Sequence, residues 1–144
     1  MRVKTILSSK GDNVTKVASS DSIRTTLLRL KTHNIGALVV SDDGDTVAGI
    51  ISERDLVRAM VDHGPALLEM TVAELMTRDV RTCGPEDDIE DVMDSMTHGR
   101  FRHMPVLVDG KLVGVISIGD LVKHRMGELV DETKALREYV TDYR

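Results

Sequence analysis

The sequence predicts an α+β protein in which one β-α-β-β-α unit occurs twice and a C-terminal helix follows. Two observations predict this fold class. The segment 51–57 (ISERDLV) returns as 116–122 (ISIGDLV), and apolar residues upstream of the two segments recur at offsets of 65 to 67 residues. The small changes in offset fall in turns, where a duplicated fold tolerates insertions.

Each copy begins with a short extended segment and a helix. Residues 14–17 and 80–83 lead to helix starts that are rich in serine or acidic residues, SSDS and PEDD. Acidic side chains suit the positive end of a helix dipole, and Pro85 suits the first position of a helix. Apolar residues then recur at spacings of three and four, which indicates one buried face. These residues are Ile23, Leu27, Leu28 and Leu30, then Ile89, Val92, Met93 and Met96.

Two strands and a second helix complete each copy. The pair Asp109-Gly110 separates two β-branched runs and is typical of a hairpin turn. The second helix begins after Ser52 in the first copy and after Ser117 in the second. The predicted strands are 37–40 and 47–51, then 104–108 and 112–116.

The repeat divides the chain into four predicted segments. They are the first repeat at 10–62, a packed linker at 63–78, the second repeat at 79–126 and a C-terminal helix at 127–144. The linker contains the helix breakers Gly64 and Pro65, but it is not of low complexity, so we expect it to pack. Residues 128–139 contain no breaker, and we expect this helix to dock on another surface, such as that of a second subunit.

The composition excludes several classes of function. A net charge of -5 and an aromatic content of 2% argue against binding of nucleic acid. Cys83 is the one cysteine, and His98 and His103 have no third ligand near them in sequence, so no metal site is predicted. Apolar runs are far shorter than the roughly 18 residues of a membrane span, and the N-terminus does not resemble a signal peptide. We therefore expect a cytoplasmic protein that contacts no membrane.

A serine and an aspartate stand three residues apart where each second helix begins. At a helix N-terminus, the hydroxyl of Ser52 or Ser117 could donate to a phosphate, and the carboxylate of Asp55 or Asp120 could accept from the two hydroxyls of a ribose. The same spacing also describes a helix cap, in which the serine accepts from backbone N–H groups. The motif alone leaves both interpretations open.

Four motifs together resemble a known family. They are GIISERD at 49–55 with its copy GVISIGD at 114–120, NIGALVV at 34–40 and RHMPV at 102–106. In this order they are similar to a pair of CBS domains, named after cystathionine β-synthase, over about residues 10–125. Because no catalytic or DNA-binding domain is appended, the chain resembles the stand-alone CBS-pair proteins.

The resemblance implies a pseudo-twofold module that binds an adenosine-containing nucleotide in clefts between its repeats. It implies AMP as the first candidate ligand, with ATP or NAD(H) as alternatives. Asp55 and Asp120 would hold ribose, and Ser52 and Ser117 would meet phosphate. The adenine edge would be read near Thr15, Val17 and Thr82, and the other wall would consist of Gly36, Ala37, His103, Met104 and Pro105. The module would have a regulatory, energy-sensing role without catalysis, pair into a homodimer and signal to an unknown protein target.

The two copies differ inside the motif. Ile118 and Gly119 stand where the first copy has Glu53 and Arg54. Because glycine permits close approach of a ligand to the backbone, we expect the second cleft to suit a phosphate better. The cations expected to balance phosphate are Lys10, Arg54, Arg100 and Arg102, with His103 beside them.

Two other functions remain open at this stage. In the first, the protein binds no ligand and serves for dimerisation and partner docking, with the Ser and Asp pairs acting as caps. An enzyme that uses a cleft histidine is a more distant alternative, because no sequence motif pairs a nucleophile with a base.

Overall fold

The computed structural model describes residues 1–11 and 14–142 of the chain. Its first half consists of α1 (Val3–Lys10), β1 (Lys16–Val17), α2 (Ile23–His33), β2 (Ala37–Val40), β3 (Gly49–Ser52) and α3 (Glu53–His63). A 3₁₀ helix (Gly64–Glu69) and α4 (Val72–Leu75) form the connection. The second half consists of α5 (Ile89–Gly99), β4 (His103–Val108), β5 (Lys111–Ser117) and α6 (Ile118–Asp142).

Two small sheets confirm the α+β class and the order of elements in each repeat. In the first sheet β1 is parallel to β2, and β2 is antiparallel to β3. In the second, β4 and β5 form a hairpin, and both turn residues, Asp109 and Gly110, have positive φ angles as a type I′ turn requires. The counterpart of β1 is reduced to one parallel bridge between Cys83 and Val106.

The start of α5 differs from the sequence prediction. Pro85 does not occupy the first helical position, because Asp88 caps the helix and its side chain accepts from the N–H of Glu90 at 3.0 Å. Pro85 lies in the turn before the helix, where its carbonyl accepts from the N–H of Lys4 at 2.9 Å. The turn thereby serves as a docking point for α1.

Each repeat has its own apolar core. The first core draws its buried residues from positions 17–76, including Leu67 and Val72 of the connection. The second core draws its residues from positions 83–121 and also contains Val3 and Ile6 of α1. The N-terminal helix thus precedes the first repeat in sequence and packs on the second.

The last helix is longer than predicted. Residues 118–142 form one helix, so the second helix of the second repeat and the predicted C-terminal segment 127–144 are continuous. Positions 143 and 144 of the predicted segment lie outside the described residues. At 1.5 Å per residue the 25-residue helix is roughly 37 Å long. Among the described helices, none combines the length and apolar character needed to cross a membrane.

Candidate functional site

Two cavities lie between the repeats, and each contains one of the Ser and Asp pairs. The first cavity, of about 480 Å³, contains Ser52 and Asp55. The second, of about 330 Å³, contains Ser117 and Asp120. Both volumes fall within the range of small-molecule sites.

Each cavity is completed by the opposite repeat. The pair Ser52 and Asp55 faces Thr77 of the connection and residues 79–81 and 99–103 of the second repeat. The pair Ser117 and Asp120 faces Thr15 and residues 34–37 of the first repeat. Neither repeat alone could therefore form a complete cavity.

The Ser and Asp pairs form caps, so the cap interpretation describes their contacts in this structure. The N–H of Ser52 donates to Oδ2 of Asp55 at 2.9 Å, and the N–H of Asp55 donates to Oγ of Ser52 at 3.3 Å. The equivalent distances for Ser117 and Asp120 are 2.9 and 3.1 Å. In both aspartates these contacts use Oδ2 and do not involve Oδ1. The same carboxylate could therefore cap the helix and also bind a diol.

The helix N-termini offer an anion fewer N–H groups than the sequence suggests. The N–H of Glu53 donates to the carbonyl of Gly36 at 3.0 Å, and that of Ile118 donates to the carbonyl of Arg102 at 2.8 Å. The start of the neighbouring strand supplies these carbonyls in both repeats. A phosphate at either helix would therefore depend largely on side chains for its binding.

Lys10 closes one side of the second cavity. Its Nζ donates to Oδ2 of Asp120 and to the carbonyl of Val115, both at 2.7 Å. Burial raises the pKa of Asp120, but hydrogen bonds from Lys10 and Ser117 outweigh this effect and hold the pKa below its usual value. Lys10 thus pairs with the carboxylate of Asp120 at the edge of the second cavity.

His103 and Gly36 line both cavities and form the wall between them. A Cβ atom on Gly36 would lie 3.5 Å from Cε1 of His103 and 3.7 Å from Oε2 of Glu53, which are ordinary contact distances, so the imidazole lies close to this backbone position without requiring a glycine there. Burial lowers the pKa of His103, and the nearby charge of Lys10 lowers it further. The imidazole is therefore neutral at pH 7.

The His103 environment predicts a loss of stability in mild acid. In the unfolded chain the imidazole binds a proton near pH 6.5, its ordinary pKa. In the folded protein burial, and then the charges of Lys10 and Arg102, disfavour the charged ring and lower its pKa, and Asp120 and Glu53 only partly compensate. Stability should therefore decrease as the pH falls from about 7 through the lowered pKa. We expect the melting temperature to fall more in the wild type than in His103→Gln between pH 7.5 and 5.5. Equal decreases would contradict the assignment.

Most of the predicted site residues line one or both cavities. The first cavity contains Gly36, Ser52, Arg54, Asp55, Arg102 and His103. The second contains Lys10, Thr15, Gly36, Ala37, His103, Ser117 and Asp120.

Six predicted site residues lie outside the two cavities. Val17 and Met104 belong to the two apolar cores, and Pro105 is also buried. Ile118 packs against the second core, and Gly119 is exposed on α6. Thr82 is exposed as well, and its segment lines the first cavity through Thr77, Asp79, Val80 and Arg81 instead.

The sequence prediction missed several lining residues, among them Arg58, Arg81 and Asn34. The repeat itself could have identified one of them, because Arg81 aligns with Thr15 at the offset of 66 that also aligns Val14 with Val80.

Among the described residues, no group of three or more histidine, cysteine or acidic side chains could hold a metal ion. Burial, with Asp87 nearby, raises the pKa of the Cys83 thiol to about 12.

Several known proteins are similar to this chain, and one of them is named for its CBS domain. The mitochondrial CBS domain-containing protein CBSX3 of Arabidopsis thaliana is 34% identical over 126 residues, which are 85% of this chain and 61% of that protein. A 17.7 kDa protein of Acidianus ambivalens is 39% identical over 95 residues, which are 65% of this chain and 56% of that protein. The chain therefore spans about three fifths of the length of these relatives.

Solved structures agree with the sequence matches. A CBS-domain protein of Agrobacterium tumefaciens superposes with a TM-score of 0.84 at 45% identity, covering 87% of this chain and 99% of that one. The CBS domain pair of protein MJ0100, in complex with 5′-methylthioadenosine and S-adenosyl-L-methionine, superposes with a TM-score of 0.76 at 27% identity, covering 85% and 98%. The family model for the CBS domain matches residues 3–62 and 72–127. With two copies of that domain over most of its length, this chain belongs to the CBS-domain family.

Proposed function

We propose that this protein is a regulatory module that binds an adenosine-containing nucleotide in the two cavities between its repeats. CBS-domain pairs are regulatory and bind ligands of this class, as the complex of MJ0100 illustrates. AMP is the first candidate, with ATP and NAD(H) as alternatives. The protein acts in the cytoplasm, has no catalytic step of its own and passes ligand occupancy to a protein target.

One observation carries the proposal. Each Ser and Asp pair faces the opposite repeat across a cavity. A ligand held by Asp55 or Asp120 through its ribose would therefore touch both repeats at once. Binding would change how the repeats lie against each other, which is what a regulatory module needs in order to report occupancy.

The second cavity is the proposed AMP site. A monophosphate carries about two negative charges. Nζ of Lys10 lies 2.7 Å from Oδ2 of Asp120, the carboxylate that would bind the ribose, so Lys10 could also reach a phosphate attached to that ribose. The positive end of the α6 dipole adds to this attraction. The smaller volume of this cavity also suits a ligand with one phosphate.

Calorimetric titration tests this proposal directly. We expect AMP to bind the wild type, and Asp120→Ala to weaken AMP binding about tenfold because a charge-assisted hydrogen bond to ribose is lost. Asp55→Ala should change AMP affinity less than about threefold, since it acts in the first cavity. Absence of heat with AMP, ATP and NADH at millimolar concentration, on folded protein, would refute the proposal, and equal losses in the two variants would refute the choice of cavity.

Homodimerisation is a second part of the proposal. The equivalent helices α3 and α6 both expose apolar side chains at matching positions of the repeat. Val57 is 67% exposed and aligns with Val122 at 43%, and Val61 is 84% exposed and aligns with Met126 at 61%. Burial of these side chains against a second copy would remove apolar surface from water.

The complete caps also favour a second candidate function, that of a docking protein without a ligand. In that case Asp120→Ala would lower the melting temperature by weakening a cap, and no nucleotide would raise the melting temperature of the wild type. A rise in melting temperature with AMP would exclude this candidate.

A further inference from the structure

The second half of α6 is exposed to solvent along its length. Every residue from 129 to 140 is exposed, whereas Leu121 near the start of the same helix is buried in the second core. A helical segment of this length is only marginally stable in water unless one of its faces is covered. The segment 127–142, which we call the arm, would therefore be stabilised by a surface that covers its apolar side chains.

A stripe of six residues runs from the body of the protein into the arm. Its members are Val122, Met126, Leu129, Thr133, Leu136 and Val140. The first two belong to the surface proposed above for dimerisation, so the stripe continues that surface. Thr133 is the one polar member, and its hydroxyl donates to the carbonyl of Leu129 within the helix at 2.9 Å. Thr133 could therefore be buried without leaving its hydroxyl unpaired.

The length of the stripe indicates what covers it. The equivalent helix of the first repeat, α3, has 11 residues and is roughly 16 Å long, whereas α6 has 25 residues. A dimer that packed α6 of one copy on α3 of the other would cover the start of the stripe and leave the arm exposed. Among the described helices, only α6 of a second copy matches the stripe over its full length.

The residue types of the stripe are typical of a pair of helices. The spacing of four and three places Met126, Thr133 and Val140 at position a of a heptad repeat, and Val122, Leu129 and Leu136 at position d. Within the arm, both a residues are β-branched and both d residues are leucine. This combination favours two parallel strands over larger bundles, and a polar residue at one a position helps to fix the register.

Charged residues beside the stripe favour a parallel direction. In a parallel pair in register, Glu132 faces Arg137 of the second copy, five residues further along, and the symmetry forms this ion pair twice. In an antiparallel pair that covers the same stripe, Lys123 would face Arg137, and Glu132 would face Glu132 of the other copy. Like charges that face each other are destabilising, so the antiparallel pair is disfavoured.

We propose that the arms of two copies form a parallel two-stranded coiled coil, in register at Thr133, which fixes the orientation of the two copies in the dimer. This inference rests on the homodimer of the proposed function and adds its geometry. The second repeat of one copy then lies beside the second repeat of the other. Both arms extend together in the same direction from this pair.

Cysteine cross-linking of the full chain tests the direction of the helices. Leu136→Cys places a thiol at a d position, which in a parallel pair faces the same position of the other copy within the reach of a disulfide. In a buffer of oxidised and reduced glutathione, we expect most of this variant to become a disulfide-linked dimer. Asp131→Cys, on the outer face of the same helix, is the matched control and should stay mostly unlinked. The wild type should also stay unlinked, because Cys83 is buried.

Charge reversal tests the pairing of Glu132 with Arg137. Glu132→Lys and Arg137→Glu should each raise the dissociation constant of the dimer about tenfold at low salt, because two ion pairs become two like-charge contacts. An equimolar mixture of the two variants should restore the wild-type dissociation constant, since each variant then supplies the charge that the other lacks. Sedimentation equilibrium would measure these constants.

Glu138→Lys is the matched control for charge reversal, because it makes the same change of charge on the outer face of the helix. It should leave the dissociation constant within about twofold of the wild type. An increase as large as that of Glu132→Lys would overturn the inference, because a general effect of net charge would then explain both variants. Circular dichroism of each variant would establish that the comparison concerns folded protein.

The remaining outcomes separate this inference from the proposed homodimer. If Leu136→Cys cross-links only when it is mixed with Met126→Cys, the helices are antiparallel, so the inference is wrong and the homodimer stands. If the wild type is dimeric but neither Leu136→Cys nor this mixture cross-links, the arm lies outside the interface and the inference is again wrong. A wild type that is monomeric at micromolar concentration would contradict both.

Discussion

The double substitution Met126→Asp and Leu129→Asp is expected to convert a dimer into a monomer. Six residues along α6 follow the alternating spacing of four and three that is typical of a helical interface. They are Val122, Met126, Leu129, Thr133, Leu136 and Val140. Met126 is 61% exposed and Leu129 46% exposed in the single chain. Two buried, unpaired carboxylates at the centre of such an interface would cost more than its apolar contacts contribute.

Light scattering coupled to gel filtration would measure the mass of both forms. Val108→Asp is the matched control, because Val108 is 42% exposed but lies on β4, away from the helical stripe, and it should leave the mass unchanged. A wild type that is already monomeric at micromolar concentration would contradict the proposed dimer. So would a double variant that stays dimeric.

The substitutions Ile51→Ala and Ile116→Ala are each expected to lower the free energy of unfolding by about 2–5 kcal/mol, as large-to-small core substitutions do. The two isoleucines occupy equivalent positions in the repeat, and both are 0% exposed. Each isoleucine fills the core of one repeat at an equivalent position. The two decreases in the free energy of unfolding should therefore be similar. Urea unfolding followed by circular dichroism would measure both.

Val113→Ala provides the comparison for these core variants. Val113 is on the same strand as Ile116 but is 38% exposed, so its loss should stay within about 0.5 kcal/mol. A loss at Ile51 or Ile116 as small as that of Val113 would show that the two cores are not packed as described here.

The sequence predicted those features that depend on neighbouring residues. The Asp109-Gly110 turn, the helical faces at Ile23 and Ile89, and the paired starts of α3 and α6 were all visible in short windows. Turn chemistry and apolar spacing act within a few residues, so one sequence contains the whole signal. The family resemblance added the expected location of the ligand between the repeats.

The features that sequence reasoning missed depend on residues far apart in the chain. The presence of Arg81 and Arg54 in one cavity follows from the packing of one repeat on the other. The sequence predicts Thr82 at the cavity by analogy with a full first strand, whereas the second copy retains only the bridge at Cys83. The sequence does not show which residues of a strand near a cleft face that cleft, so it predicts Val17, Met104 and Pro105 as site residues although all three are buried.

The docking of α1 on the second repeat has a consequence for how the protein is made. The first core needs only residues 17–76 and can close while the rest of the chain is still on the ribosome. The second core needs Val3 and Ile6, which are synthesised well before its other members, such as Leu121. During that interval the apolar face of α1 has no partner. A substitution in α1 would therefore disturb the half of the molecule that is synthesised later.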